Sequence, residues 1–271
     1  MKEQTFEQYA AYVAQHFGIQ LPAEKKALLE SRLYKLFVKG GSHEFSDAES
    51  FLSYLSRDQS GTARRILADA ITTNHTFFMR ESDHFSYFGE HVLPYWAERI
   101  QDGDLRTWCA ACSSGEEAYT LAMILQDYFS LKGAHWDTTL LATDLSEEIL
   151  AQAREGRYLR ESVRSMPPQW QVSYFQAEDA LHMRITEHLR QKVVFRRFNL
   201  MEPVFPFRRR FHTIFCRNVM IYFDGPTRSA LARKFYDFLE PGGFLFIGHS
   251  EVIDRQAAPF VYVMPSVYQR R

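Results

Sequence analysis

Apolar residues in the first 82 positions recur at the three- and four-residue spacing of amphipathic helices. The pattern predicts a first helix that ends at Gly18 and a second that runs from Pro22 to Gly40-Gly41. Two further helices are predicted around Phe51 and Leu67. Because this stretch shows no β-strand pattern, we expect a small all-α bundle.

From about residue 105 the pattern changes to short apolar runs that alternate with amphipathic segments. Strands are predicted at 105–110, 138–143, 192–198, 211–216 and 243–249, with a last strand or hairpin arm at 260–268. Helices are predicted between them at 116–129, 146–154 and 226–239. This alternation is typical of the α/β class, with a mostly parallel sheet covered by helices on both faces. The stretch 157–191 does not fit the alternation and is interpreted as an insertion.

Length, composition and charge exclude several classes of protein. The 271 residues, 46% of them hydrophobic, suffice for one large domain or two modest ones. No apolar run approaches the ~20 residues that cross a bilayer. The N-terminus lacks the apolar core of a signal peptide, so we expect a cytoplasmic protein. The net charge of −1 argues against a general nucleic-acid coat.

The balanced total charge hides a basic second helix. Residues 24–39 contain five lysines or arginines and two glutamates, which gives a local net charge of +3. One interpretation is a solvated outer face, and the other is a docking face for an acidic partner helix.

Candidate chemistry lies where ligands bind in open α/β sheets, outside the carboxyl ends of the strands. After the first predicted strand comes a turn of small residues, 110–117, that leads into a helix. Such a turn lets a ligand lie against the backbone and offers free N–H groups at the helix start. Asp144 follows the second strand and is placed to accept hydrogen bonds from ribose hydroxyls. Together they predict a nucleoside-containing cofactor; the alternative is a structural turn and an acid at a helix start.

The cofactor is not expected to be NAD, because the G-x-G-x-x-G fingerprint is absent and only Gly115 is present in the turn. A loop with one glycine and two acids, Glu116 and Glu117, suits a ligand that lacks phosphates and carries positive charge. S-adenosylmethionine, with its sulfonium and ammonium groups, fits that description.

The three cysteines, at positions 109, 112 and 216, are too few and too odd in number for a disulfide framework. The run Trp108–Cys112 also has the W-C-x-x-C pattern of thioredoxin-like redox helices. A zinc site is disfavoured because no second ligand pair has zinc-finger spacing. We expect the cysteines to be buried packing residues.

Four segments then match one family in order and at suitable spacing: Thr72–Glu81, Ala110–Glu117, Phe215–Phe223 and Gly248–Glu251. On these segments the chain resembles the CheR-type chemotaxis receptor glutamate methyltransferases over nearly its whole length. The resemblance implies a helical domain plus linker at 1–82 and a Rossmann-like methyltransferase domain at 83–271. It also implies a small antiparallel β-subdomain inserted at about 157–191.

The resemblance implies contacts to S-adenosylmethionine at Asn74, Thr76, Arg80, Glu117, Asp144, Asn199, Leu200, Arg217 and Asn218. Asn199 and Asn218 directly follow predicted strands, and the first three lie on a linker placed to fold over that edge as a lid. Glu117 is favoured over Glu116, although the sequence alone leaves both open. No metal site is expected.

The implied reaction transfers a methyl group from S-adenosylmethionine to glutamate side chains of chemoreceptors, giving methyl esters and S-adenosylhomocysteine. Arg80 and Tyr222 are the catalytic candidates, which would orient the attacking carboxylate by a guanidinium fork and a phenolic hydroxyl. The alternatives are a salt bridge for Arg80 and aromatic packing for Tyr222.

The implied partner is the cytoplasmic domain of chemoreceptors, bound through the basic helix 24–39 and the inserted subdomain by a monomer without membrane insertion. Two other classes stay open: a regulatory binding module that keeps the cofactor fold, and a methyltransferase for nucleic acids or amines. The segment after strand 211–216 is Arg217-Asn218-Val219 and not the Pro-Pro-aromatic run of amine enzymes. The basic run 208–210 is interpreted as a solvated loop, so no nucleic acid is expected.

Overall fold

The computed structural model describes residues 1–39, 45–132, 136–254 and 256–271. Its helices are α1 (Glu3–Phe17), α2 (Lys26–Lys39), α3 (Ala48–Arg57), α4 (Thr62–Ile71), α5 (Ser82–Tyr87), α6 (Leu93–Ala97), α7 (Glu116–Ser130), α8 (Glu147–Glu155), α9 (Arg160–Val163), α10 (Pro168–Tyr174), α11 (Glu187–Arg190) and α12 (Gly225–Phe238). Its strands are β1 (Thr107–Ala110), β2 (Leu140–Asp144), β3 (Arg157–Leu159), β4 (Phe175–Ala177), β5 (His182–Ile185), β6 (Val193–Arg197), β7 (Phe211–Cys216), β8 (Leu239–Ile247), β9 (Phe260–Met264) and β10 (Val267–Arg270). Within the described ranges no helix is both long and apolar enough to cross a membrane.

Helices α1 to α4 form the predicted N-terminal bundle around a core of their own. Helix α1 ends at Gly18, whose left-handed conformation (φ 72°) directs its N–H to the Ala14 carbonyl. Helix α3 begins after Asp47, whose carboxylate accepts a hydrogen bond from the Ser50 N–H. The predicted end of α2 at Gly40-Gly41 lies outside the described residues.

The second part of the chain is built on a seven-stranded sheet in the order β6-β2-β1-β7-β8-β10-β9. The first five strands are parallel, and β10 and β9 add an antiparallel hairpin at one edge. The α/β prediction is therefore confirmed, and the run 260–268 forms both arms of a hairpin. Strand order reverses at β1, which lies between β2 and β7.

Both faces of the sheet are covered, because alternate residues of each central strand enter different apolar cores. Trp108 and Ala110 of β1 pack with Phe235 of α12 on one face. Cys109 packs on the other face with the core that contains α7 and Phe215. Trp108, the largest of these, is completely buried and donates its indole N–H to the Thr143 hydroxyl at 2.9 Å.

The stretch 157–191 contains a separate three-stranded antiparallel sheet in the order β3-β5-β4, as the family resemblance implied. Asp127 of α7 anchors it: one carboxylate oxygen accepts the Trp170 indole N–H at 2.6 Å, and the other accepts the Tyr174 hydroxyl. The insertion is thereby fixed to the helix that starts at the candidate cofactor loop.

Two elements differ from the sequence prediction. Strand β8 begins at Leu239 and includes Pro241-Gly242-Gly243, which the sequence indicated as a helix stop before a strand at 243. Pairing with the start of β7 extends the strand backwards, since Phe211 lies opposite Leu239. The stretch from Ser82 to Ala97, to which the pattern assigned no element, forms α5 and α6 with a π-helical turn between them.

The N-terminal bundle contacts the sheet at the carboxyl ends of its strands. The Gln20 N–H donates to the Tyr222 carbonyl at 2.8 Å, and Ile19 forms an antiparallel bridge with Phe223. The Asn199 amide donates to the carbonyl of His16 at 2.8 Å. The end of α1 is thus part of the wall around this edge.

Candidate functional site

A cleft that is open to solvent lies at the carboxyl edge where the strand order reverses, and its empty space is about 980 Å³ with the solvent at its mouth included. Its walls come from the end of α1, the linker 72–80, the loop after β1 and the segments that follow β2, β6 and β7. All ten residues singled out from the sequence line it: Asn74, Thr76, Arg80, Glu117, Asp144, Asn199, Leu200, Arg217, Asn218 and Tyr222.

The loop after β1 has an unusual backbone. Ala111, Ser113 and Gly115 all adopt positive φ, at 60°, 51° and 96°. A Cβ atom on Gly115 would lie 3.1 Å from both Ala153 Cβ and the Tyr158 hydroxyl, so only glycine fits without displacement. Strained backbone of this kind concentrates at functional sites, where the surrounding structure holds it in place.

Asp144 links this loop to the second strand. It is buried, and its two carboxylate oxygens accept the N–H groups of Ser113 at 2.9 Å and Ser146 at 3.0 Å. Burial raises the pKa of this carboxyl, and these hydrogen bonds oppose the rise. Each oxygen keeps a lone pair that can accept a hydrogen bond from a ligand hydroxyl.

Arg217 holds two acids together at the floor of the cleft. Its Nη1 donates to Glu117 at 2.8 Å and its Nη2 to Glu81 at 2.9 Å, with 1% of its side chain exposed. Glu81 also accepts the Asn218 amide at 3.0 Å. Burial alone would raise the pKa of Glu81, but hydrogen bonds from Asn218 and Arg217 and the charge of Arg217 hold it below its ordinary value.

The two neighbouring acids at the start of α7 point to different places. Glu117 lines the cleft and accepts both Arg217 and the Cys109 thiol. Glu116 is buried and its carboxylate accepts the Ser114 hydroxyl at 2.6 Å, with a pKa raised by burial. The sequence left open which of the two acids faces the cofactor site. In the structure Glu117 faces the cleft and Glu116 does not.

Two further acids organise the cleft, although the sequence assigned them no role. One is Glu81 of the Arg217 network, and the other is Glu251. Glu251 is buried and accepts the backbone N–H groups of Asn218 at 3.0 Å, Ile221 at 3.2 Å and Gly248. Each acid is the last residue of a segment that carried the family resemblance. That position was the signal in the sequence from which a role for Glu81 and Glu251 could have been predicted.

The linker lies across the cleft as expected from the sequence. The Ser113 hydroxyl donates to the Asn74 carbonyl at 3.2 Å, which joins the linker to the loop after β1. Arg80 donates to the His75 carbonyl at 3.0 Å and its guanidinium carbon lies 5.8 Å from the centre of the Phe77 ring. No acid within the described residues forms a salt bridge with Arg80 at 4.0 Å or less, so its charge faces the cleft.

The redox interpretation of the cysteines is wrong. Cys109, Cys112 and Cys216 are unpaired and completely or almost completely buried. Burial raises the pKa of all three thiols, whereas a redox-active cysteine needs an accessible, easily ionised thiol. They are packing residues.

The basic run 208–210 lies at the other end of the sheet, away from the cleft. Arg209 binds Asp104, and Arg210 donates to the Asp237 carbonyl at 3.1 Å. The run therefore takes no part in the candidate site.

The fold and the cleft together define a class of protein. Five parallel strands extended by an antiparallel hairpin, a turn of small residues after β1 and a buried acid after β2 are the features of Rossmann-like S-adenosylmethionine-dependent methyltransferases. Family models sharpen this result. One described as "CheR methyltransferase, all-alpha domain" matches residues 4–72, and one described as "CheR methyltransferase, SAM binding domain" matches residues 74–268. The chain belongs to the CheR methyltransferase family, which confirms the resemblance read from its four segments.

Curated relatives span almost the whole chain. A chemotaxis protein methyltransferase of Borreliella burgdorferi is 39% identical over 95% of this chain and 91% of its own length. Proteins of the same description from Klebsiella aerogenes and Escherichia coli are 33% and 32% identical; each match covers 97% of this chain, and 88% and 89% of the respective relative. The protein is therefore an S-adenosylmethionine-dependent methyltransferase.

The residues of the cleft fit this cofactor. Glu117 and Asp144 supply carboxylate acceptors for amino and hydroxyl groups, and Asn199 and Asn218 supply amides. The Nε of the buried Arg217 has no hydrogen-bond partner within the described residues, which leaves one donor at the cleft floor unused.

Proposed function

We propose that this protein transfers the methyl group of S-adenosylmethionine to glutamate side chains of chemoreceptors, giving glutamate methyl esters and S-adenosylhomocysteine. The observation that carries the proposal is the placement of Arg80 and Tyr222 on the same cleft as Glu117 and Asp144. Arg80 and Tyr222, which can orient a substrate carboxylate, thus lie beside Glu117 and Asp144, which can bind the positively charged cofactor.

The cofactor would be held by Asn74, Thr76, Arg80, Glu117, Asp144, Asn199, Leu200, Arg217 and Asn218. Asp144 would accept ribose hydroxyls with its free lone pairs, and Glu117 would face the amino-acid part. When bound, S-adenosylmethionine supplies an electrophilic methyl group on a sulfonium. Arg217 would act mainly by fixing Glu117, because both its terminal nitrogens already bind acids.

No residue of the cleft has to act as a general base, because a glutamate carboxylate is already ionised at neutral pH. Arg80 and Tyr222 would orient this carboxylate for in-line attack, and such positioning is worth a large share of a barrier. Negative charge on the nucleophile is lost in the transition state. Additional positive charge around the carboxylate would therefore stabilise the ground state more than the transition state. One arginine and one phenol meet this requirement.

Receptor docking would use helix α2. Tyr34, Lys35 and Val38 are exposed on it and Lys25 is exposed just before its start, so that they form a basic surface with apolar patches. Arg32 donates to the Thr73 hydroxyl at 3.1 Å and to the Ile71 carbonyl, so the helix is fixed to the linker that carries Arg80. Contact with an acidic receptor helix would therefore be made close to the cleft, and the inserted subdomain would offer a second anchor.

We further propose two units, a helical domain with linker at 1–82 and a methyltransferase domain at 83–271 that contains the insertion at about 157–191. The separate apolar core of the N-terminal bundle supports this division. The protein would act as a monomer in the cytoplasm, on receptor domains exposed there.

The test is transfer of a radiolabelled methyl group to receptor-containing membranes. Arg80→Ala should abolish transfer and lower the melting temperature only slightly, because the side chain forms no salt bridge within the described part of the chain and loses only an exposed hydrogen bond and a ring contact. Arg99→Ala is the matched control, since Arg99 is half exposed and packs on Tyr95 remote from the cleft. Near-normal transfer by Arg80→Ala would refute the role of Arg80. Cofactor binding without transfer in the unaltered protein would favour a regulatory binding module.

A further inference from the structure

A cluster of metal-ligand residues lies directly behind the Arg217 network. Glu81, His84 and His249 each offer one ligand atom, and these atoms lie within 4.8 Å of one another. Glu81 precedes α5, His84 lies on α5, and His249 follows β8. The cluster therefore joins the helix after the linker to the loop that carries Glu251.

His84 is the unusual member of the cluster. Its side chain is completely buried, yet neither ring nitrogen has a hydrogen-bond partner within the described residues. An unsatisfied buried polar group costs about 1–3 kcal/mol, and native proteins keep such groups where an ion, a water or a function accounts for them. A carboxylate oxygen of Glu81 lies 3.7 Å from His84 Nδ1, which is too far for a hydrogen bond.

We propose that Glu81, His84 and His249 bind a divalent transition-metal ion of the Zn²⁺ type. Two imidazoles and one carboxylate form a frequent zinc ligand set, in which water occupies the fourth position. Tetrahedral ligands about 2.0 Å from the metal lie about 3.3 Å apart, so modest side-chain rotation closes the cluster around an ion.

The surroundings supply an entry path and a supporting residue. His249 is exposed on 44% of its side chain, so an ion reaches the cluster from solvent. The Asp83 carboxylate lies 3.2 Å from His249 Nε2, in the manner of the carboxylates that orient metal-bound histidines. Glu81 accepts hydrogen bonds from Arg217 and Asn218, and ligating carboxylates are commonly hydrogen-bonded in this way.

The ion would also act on the cleft, and this consequence rests on the proposed function. Glu81 is the group that holds Arg217 and Asn218 in place. A divalent ion on the same carboxylate repels Arg217 and competes for Glu81. Zn²⁺ should therefore weaken the binding of S-adenosylhomocysteine several-fold.

The test uses the full-length chain without an affinity tag of histidines. Titration with Co²⁺ should give one equivalent of bound metal and the absorption bands of a four-coordinate site, and calorimetry with Zn²⁺ should give the same stoichiometry. His249→Gln, at an exposed position, should weaken both by at least tenfold, and His84→Asn should do the same. His91→Gln changes another exposed histidine and should leave metal binding unchanged.

No saturable binding, equal binding by His249→Gln, or a sulfur-to-cobalt charge-transfer band from the cysteines would overturn the metal site. Metal binding is measured without cofactor or receptor, so its failure is separate from failure of the methyl-transfer proposal. Unchanged affinity for S-adenosylhomocysteine at saturating Zn²⁺ would overturn the coupling to the cleft.

Discussion

The two edges of the central sheet each carry a network built around one arginine, but the networks differ in burial. At the carboxyl edge Arg217 joins Glu81 and Glu117. The Arg217 side chain is 1% exposed, and the Glu81 and Glu117 side chains are 14% and 15% exposed. At the amino edge Arg106 joins Asp104 and Glu240. The Arg106 side chain is 16% exposed, and the Asp104 and Glu240 side chains are 23% and 29% exposed. The same chemistry is more deeply buried at the carboxyl edge than at the amino edge.

Backbone strain separates the two edges in the same way. Six residues other than glycine have positive φ in the described part of the chain, and five of them surround the cleft: Met79, Glu81, Ala111, Ser113 and Asn218. The sixth, Ser266, lies in the turn of the terminal hairpin. Buried charge and strain both cost stability, and their concentration at the carboxyl edge marks it as the functional one.

The largest effect should come from removing the central arginine of each network. Arg217→Met leaves two partly buried carboxylates without their cation, so the free energy of unfolding should fall by about 3 kcal/mol, the lower end of the range for a buried pair. Arg106→Met at the amino edge should cost about 1 kcal/mol, because water replaces the lost ion pairs. Urea unfolding of both variants measures the difference. Equal losses would remove the distinction between the edges.

The amino edge should also respond to pH, through His212. Burial, and then the charge of Arg106, lower the pKa of His212 to about 4 from an ordinary 6.5. Between these values the unfolded chain binds a proton that the folded chain does not, so stability falls as pH falls, by about 3 kcal/mol for this group.

His212→Asn tests this response. Its carbonyl oxygen can replace Nδ1 as the acceptor of the Arg106 N–H, a bond of 2.9 Å. The variant should show a shallower loss of unfolding free energy between pH 6.5 and pH 4, measured by urea unfolding across the range. An unchanged slope would show that His212 is not responsible.

A smaller effect is expected at Glu251, which holds the loop after β7 by three backbone hydrogen bonds. Glu251→Gln keeps the size of the side chain but replaces one acceptor oxygen by an NH₂ group, which cannot accept hydrogen bonds from the backbone N–H groups. The free energy of unfolding should therefore fall by about 1–2 kcal/mol. The affinity for S-adenosylhomocysteine, measured by calorimetry, should fall about tenfold because Asn218 loses its support. Unchanged affinity would show that Glu251 matters for folding alone.

Much of the fold could be predicted from sequence because its signals are local. Apolar runs located the strands of the sheet, and Gly18 located the end of α1. The same kind of signal was misleading at Pro241-Gly242-Gly243, since pairing with β7 outweighed a local turn pattern. It was absent for α5 and α6, which are supported by burial: Phe85 of α5 packs on Phe215, and Tyr95 of α6 packs on Phe244.

The sequence was sufficient to predict which residues lie together at the site, because the carboxyl ends of parallel strands meet at one edge of the sheet. The hydrogen bonds and ion pairs between these residues could not be predicted. Only the structure separates Glu117 from Glu116, and only it shows that Arg217 is held between two acids. These contacts join residues a hundred or more positions apart, such as Arg217 and Glu81, which no local pattern records.

The central claim is that the carboxyl edge binds the cofactor through its own buried groups. Calorimetric titration with S-adenosylhomocysteine tests it most directly, with Asp144→Ala at this edge and Asp104→Ala at the amino edge as the matched control. We predict one molecule bound per chain, at least a tenfold loss of affinity in Asp144→Ala and no change in Asp104→Ala. Binding that survives Asp144→Ala unchanged, or no binding by the unaltered protein, would contradict the claim.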